Sequence, residues 1–367
     1  MISKWLAERT NAFDSSGIRR VFDLATSMHN PINLSIGQPD FDVPSDVRLA
    51  AVDAINSKKN SYTLTQGIPV LREKLQAEID SQYNHKDRRV FVTSGTSGGL
   101  LLAIFALVNP GDEVIVFDPY FVMYEPLVSL VGGTCVFVDT YPDFHINVSK
   151  VEPAISARTK LILFNSPANP TGVVTSKKDI QQIAELAARH NVVLLSDEIY
   201  KSFCYDEPFV SPATFNEHTL VLDGFSKSHG MTGWRLGYAH GPATVIEAMI
   251  KIQQYTFVCA PQPAQWAGPV AMDADISEVI NSYREKRNRL LEGLAGKYDI
   301  ERPGGAFYIF PRVPEGIANQ FFARAMEHNL LIIPGNIFSR HDTHFRISYA
   351  ASDETLERGI EVLRHLA

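Results

Sequence analysis

Two hydrophobic patterns alternate along this chain. Short unbroken runs of Val, Ile, Leu and Phe are followed by longer stretches in which apolar residues recur every three or four positions. An unbroken apolar run of about four to eight residues predicts a strand buried on both faces, and the three-to-four periodicity predicts a helix lying on it. Seven such runs, RVFVTS, DEVIVFD, TCVFVD, KLILFN, VVLLSDE, LVLDG and LGYAH, fall between residues 89 and 240. Between the fourth and fifth, Ser176 is a predicted N-cap for a helix with Ile180, Ile183, Ala184 and Ala187 on one face. Strands and helices in this alternation predict an α/β fold with a mostly parallel seven-stranded sheet and helices on both faces.

The pattern changes after residue 273. A long charged helix, ISEVINSYREKRNRLLEGL, leads through the strand candidates AFYIF, LLII and HFRISYA, with a helix among them, to a final helix. These predict a smaller α/β layer. The expected division is an N-terminal segment, residues 1–42, packing with a small domain at 274–367, and a large domain at 43–273. No linker or repeat separates them, so a broad interface is expected.

Composition narrows the partners. With 45% hydrophobic and 20% charged residues, the 367-residue chain has the makeup of a globular protein rather than a fibre or a disordered tail. A net charge of -7 without a basic block argues against a nucleic-acid surface. No run of about eighteen uncharged apolar residues appears, and MISKWLAERTNAF lacks the apolar core of a signal peptide, so no membrane association and a cytoplasmic location are expected. Cys135, Cys204 and Cys259 are far apart and without metal-ligand spacing, and the histidines show no paired spacing. They predict free thiols, no metal site, and small molecules as partners.

In open parallel sheets ligands collect where strands end and helices begin. Reading those edges collects the polar candidates. SGTSGG after VFVT offers backbone N–H groups at a helix start, suited to an anion or to a plain turn. PYFVMYE offers Tyr120, Phe121 and Tyr124 as aromatic faces for a core or a ligand, and SPANPTG presents the Asn169 amide in a stiff loop. Asp197 closes an apolar strand, which requires a cationic partner from the protein or from a ligand. DGFSKSHGMTGWRLGY places Lys227 among glycines and hydroxyls, with Arg235 eight positions on.

NPTG, DEIY and SK followed by GWRLG, in this order, resemble the fold type I pyridoxal-phosphate enzymes, in particular the class I/II aminotransferases. The likeness runs from LSIGQPDF (residues 34–41) through YTLTQGIPVLREKL to FRISYA (residues 345–350). It implies pyridoxal 5'-phosphate as cofactor and transfer of an amino group from an L-amino acid to a 2-oxo acid such as 2-oxoglutarate. By the same likeness Lys227 would bond to the cofactor aldehyde and shuttle the substrate proton. Gly95, Thr96, Ser97, Ser226 and Arg235 would hold the phosphate, and Asp197 the ring nitrogen. Asn169 and Tyr200 would bond the ring oxygen, with Phe121, or its neighbour Tyr120, stacked on the ring. Arg346 and the backbone of Gly37 would take the substrate carboxylate. Tyr62 would reach the phosphate of a second subunit, which implies a homodimer with sites at its interface.

The donor stays open between aspartate and aromatic amino acids. Arg19 and Arg20 are candidate partners for a second carboxylate, whereas Ile18, Ile36 and Phe257 are candidates for an apolar pocket. A C–S β-lyase shares the same lysine, aspartate and arginine. A ligand-sensing regulator domain would want a basic helix-turn-helix ahead of the fold, and none is legible.

Overall fold

The computed structural model describes residues 5–14 and 16–367; residues 1–4 and 15 of the expected N-terminal segment lie outside the described residues. The described residues form twelve strands: β1 (Ile32–Asn33), β2 (Arg88–Ser94), β3 (Glu113–Asp118), β4 (Thr134–Asp139), β5 (Thr159–Asn165), β6 (Val193–Asp197), β7 (Leu220–Gly224), β8 (Leu236–Pro242), β9 (Tyr308–Ile309), β10 (Leu330–Leu331), β11 (Ile333–Pro334) and β12 (Phe345–Ser348). All seven runs expected to form the large sheet do so, in the order β2-β8-β7-β6-β5-β3-β4. Only β8 runs antiparallel to its neighbours.

Unbroken apolar runs are what this sheet requires, because alternate residues enter different cores. Val114 and Val116 of β3, with Leu161 and Leu163 of β5, pack under the helix Gly95–Leu107. Their sequence neighbours Ile115, Phe117, Ile162 and Phe164 face the helix Lys177–Arg189 on the other side. That helix starts as expected: Ser176 Oγ accepts the Asp179 N–H at 3.1 Å, and Ile180, Ile183, Ala184 and Ala187 are buried.

The C-terminal pattern forms a three-stranded antiparallel sheet, β11-β12-β9, beside the charged helix Ser277–Leu294 and the final helix Asp353–Leu366. One detail differs from the expectation. LLII is not a single strand: β10 pairs in parallel with β1, while β11 turns to pair with β12. β1 thereby ties the segment ahead of Leu34 to the C-terminal layer.

β3 and β5 are neighbours, yet the chain leaves them toward opposite edges of the sheet, through β4 and through β6. Such a reversal opens a crevice at the carboxyl ends of the strands. Asn165 and Asp197, the last residues of β5 and β6, stand side by side there.

Candidate active site

A cavity of about 1260 Å³ opens at this edge. Thr96, Ser97, Phe121, Asn169, Asp197, Tyr200, Ser226, Lys227, Arg235, Gly37 and Arg346, drawn from the whole length of the chain, all line it. Gly95 stands immediately behind, because a Cβ built on it would meet Arg235 Nη2 at 2.6 Å.

Lys227 stands at the middle of this set as a candidate nucleophile. Burial, reinforced by the nearby Arg346 and Arg235 guanidiniums and opposed by Asp197, lowers its amine to about 8. Burial and two nearby cations therefore make a neutral amine accessible near physiological pH. Nζ donates to the Gly37 carbonyl at 2.7 Å.

Asp197 is 3% exposed, and burial raises its carboxyl to about 6, with a hydrogen bond from Tyr124 holding it back. Tyr124 Oη donates to Oδ2 at 2.9 Å, and Asn165 Nδ2 donates to the Asp197 carbonyl at 2.8 Å. No Lys, Arg or His among the described residues forms an ion pair with it. The neighbouring Glu198 points elsewhere: buried outside the cavity, it accepts Ser211 Oγ at 2.6 Å.

Arg235 occupies the left-handed region, with φ of 54°, a conformation that costs a non-glycine residue about 1 to 3 kcal/mol. The turn lays its guanidinium against Gly95 at the start of the helix Gly95–Leu107, where Nη1 donates to Thr232 O at 2.8 Å. Thr96 Oγ1, buried beside it, has no hydrogen-bond partner among the described residues. A cation and free helix N–H groups converge on one spot, which suits a phosphate.

Arg346, 1% exposed, lies between the Tyr308 and Phe338 rings, 4.6 Å from each centroid. It donates to Asn169 Oδ1 at 3.0 Å and to Ser35 O at 2.7 Å, and its Nε is unpaired. No carboxylate faces it among the described residues. A buried guanidinium paired only with neutral oxygens is suited to a carboxylate.

Two contributors were not singled out for these roles from the sequence. Tyr124 anchors Asp197 and meets Phe121 edge-on, centroids 5.6 Å apart, although it was grouped only with the aromatic faces. A buried tyrosine needs a partner for its hydroxyl, which was the available signal. Tyr308, inside AFYIF, bonds Tyr200 through the two hydroxyls at 2.8 Å and stacks on Arg346. Tyr120 is engaged with Glu125, to which its hydroxyl donates at 2.9 Å. Tyr62 is 83% exposed and lies outside the cavity. Phe257 and Ile36 are also absent from the lining, while Ile18, Arg19 and Arg20 belong to it. Phe257 instead lies beside Gly98. No group of three or more metal-ligating side chains occurs among the described residues.

A lysine with a lowered amine, a buried carboxylate without a cationic partner and two guanidiniums without anionic ones in one cleft suit amine chemistry on an anionic cofactor. Comparison with known proteins agrees. Residues 29–363 match the family described as aminotransferase class I and II, and the chain belongs to that family. It is 34% identical to an aspartate aminotransferase of Pyrococcus abyssi, covering 97% of this chain and 96% of that one. It is also 34% identical to aromatic-amino-acid aminotransferase 2 of Thermococcus litoralis, with the same coverage of 97% and 96%. The solved structure of aspartate aminotransferase from Thermus thermophilus with maleate superposes with a TM-score of 0.94, at 34% identity and 99% coverage of both chains. The protein is thus an aminotransferase, of a family that uses pyridoxal 5'-phosphate and acts on amino acids and 2-oxo acids. Among the described residues no helix is long and apolar enough to cross a membrane.

Proposed function

We propose that this enzyme moves the amino group of aspartate or an aromatic L-amino acid to a 2-oxo acid such as 2-oxoglutarate, using pyridoxal 5'-phosphate. The observation that carries the reading is the convergence of Lys227, Asp197, Arg235 and Arg346 on one cavity, none of them in a salt bridge among the described residues. The residues fit the cofactor at each end. Arg235, Ser226, Thr96, Ser97 and the N–H groups at Gly95 would hold its phosphate, and Asp197 the protonated ring nitrogen. Phe121 would lie on the ring face, with Asn169 and Tyr200 at the ring oxygen.

When bound, the cofactor supplies an aldehyde that takes up the amino group and a ring that accepts the electron pair left at Cα. The chain supplies orientation and proton transfer. Arg346 and the Gly37 backbone fix the substrate carboxylate, which sets the direction of the Cα–H bond. Lys227, neutral in part near pH 8, would take the Cα proton on Nζ and deliver it to the carbon that the cofactor contributes as its aldehyde, on the far side of the amino nitrogen. Asp197, held by Tyr124, would keep negative charge for the ring nitrogen.

Dimerisation belongs to the same proposal. Gln253 Nε2 donates to Thr65 O at 2.6 Å, joining the Tyr62 loop to the end of the helix Ala243–Tyr255. Tyr62, Tyr255, Phe257 and Val258 stand 83%, 86%, 37% and 40% exposed in this region. A second copy covering these residues would bring its Tyr62 toward the phosphate end of the cavity, as the family likeness implies. The relatives' names support aspartate and aromatic donors.

The test is a panel of amino donors with 2-oxoglutarate, following glutamate formation. Aspartate and at least one aromatic amino acid are expected to be donors. Pyruvate release from cysteine conjugates without glutamate formation would reassign the site to β-elimination.

A further inference from the structure

The backbone at Gly37 touches both halves of the reaction site. Its carbonyl accepts Lys227 Nζ at 2.7 Å, and a Cβ built on it would lie 2.5 Å from Tyr308 Oη, so the segment fills a slot with no room for a side chain. What holds it there is visible on both sides. Upstream, the Leu34 N–H donates to Leu331 O at 2.9 Å, the Ser348 N–H to Leu34 O at 2.8 Å, and Arg346 Nη2 to Ser35 O at 2.7 Å.

Downstream, the contacts converge on one carboxylate. Asp40 Oδ2 accepts Lys286 Nζ at 2.5 Å, Oδ1 accepts Tyr283 Oη at 2.5 Å, and the Asp40 N–H donates back to Tyr283 Oη at 3.1 Å. Phe41 meets the Tyr283 ring edge-on, with centroids 5.9 Å apart. Lys286 makes a second bond, to Ala351 O at 2.8 Å, three residues beyond the end of the Arg346 strand. Side-chain exposures of 10% for Lys286 and 23% for Asp40 leave the pair only partly screened by water, unlike an ordinary surface bridge.

We propose that Asp40, through Lys286 and Tyr283, is a positioning residue for the substrate carboxylate: it fixes the Gly37 backbone and the Arg346 strand relative to one another. The inference rests on the reading of Gly37 and Arg346 as the carboxylate site. Neither Asp40, Lys286 nor Tyr283 lines the cavity, so the effect is indirect, through the backbone and through the rings of Phe307 and Tyr308 that link Tyr283 to Arg346. A carboxylate receptor needs its groups held within a fraction of an ångström, and the latch joins its two parts through one ammonium group.

The experiment uses the cofactor-loaded enzyme and variants Asp40→Asn, Lys286→Met, the double variant and the mild Tyr283→Phe. Steady-state kinetics give KM and kcat, and calorimetric titration with maleate, a non-reacting dicarboxylate, gives binding without turnover. Loss of one charge-assisted bond to the latch is expected to raise KM and weaken maleate binding about tenfold, with kcat changing far less. Tyr283→Phe, which keeps the ring packing, is expected to show a smaller loss in the same direction. The double variant is expected to be no worse than Lys286→Met, because both changes open the same latch. A drop in unfolding temperature at unchanged KM and unchanged maleate affinity would reduce Asp40 to a structural tie and overturn the proposal. Arg346→Ala separates the two levels. If it abolishes maleate binding while Asp40→Asn does not, the latch fails and the carboxylate site stands; if neither weakens maleate, the carboxylate-site reading fails with it.

Discussion

Asp197→Asn tests whether the chain carries a destabilising group for the sake of its chemistry. The substitution keeps the shape and leaves Tyr124 an oxygen to donate to, but removes the charge. In the cofactor-free protein the carboxyl titrates at about 6 against an ordinary 3.8, because burial disfavours its ionised form. At 1.36 kcal/mol per pKa unit, that rise amounts to about 3 kcal/mol. Its sign is set by linkage. Below pH 3.8 both folded and unfolded chains hold the proton and nothing is lost. Between 3.8 and about 6 the unfolded chain ionises while the folded one does not, so stability falls as pH rises; above 6 the full penalty applies. The asparagine variant, stripped of cofactor, should therefore be more stable than the parent by about 3 kcal/mol at pH 8, with the gap closing as pH falls toward 4. Urea unfolding at several pH values reads this directly. With cofactor and substrates the order reverses, and kcat of the variant should fall by at least about a hundredfold, the effect of losing one preorganised electrostatic group. A stability difference that is independent of pH, or a variant less stable than the parent at pH 8, would refute the reading of Asp197 as a buried charge awaiting its cation.

Further predictions concern the other groups. Arg346→Ala should lower kcat/KM by about 2 to 5 kcal/mol in transition-state terms, roughly thirtyfold or more, for every amino donor; kinetics across the donor panel measure it. Lys227→Ala should abolish turnover while cofactor is still bound non-covalently, as judged by loss of activity with phosphorus signal retained after gel filtration. Lys227 in the cofactor-free chain should react with an amine-selective reagent along a titration centred at about pH 8, neutral above and protonated below, whereas exposed lysines react only at higher pH; peptide mapping assigns the rate. Glu198→Gln should reduce kcat far less than Asp197→Asn, since Glu198 lies outside the cavity and bonds Ser211.

The large sheet was legible in the sequence because its strands carry unbroken apolar runs, a consequence, in its central strands, of burial on both faces. Val114 to Phe117 show it, with alternate side chains entering two different cores. Lys227 and Asp197 were legible because they follow or end strands, where a parallel sheet exposes its ligand edge; Arg235 precedes the antiparallel β8, whose start lies at that same edge. LLII misled because a run of four apolar residues carries no sign of a turn within it; the division into β10 and β11 comes from competition between β1 and β12 for its two ends. Tertiary structure alone decided the partners. Tyr124 and Asp197 are 73 residues apart, Arg346 and Asn169 177, and Lys286 and Asp40 246. Local propensity and periodicity describe neighbours along the chain, whereas these hydrogen bonds exist only after two cores have closed and left a few charged groups in the cleft between them. The lowered Lys227 amine and the raised Asp197 carboxyl belong to the same level, because desolvation is a property of the assembled cavity and of no residue taken singly.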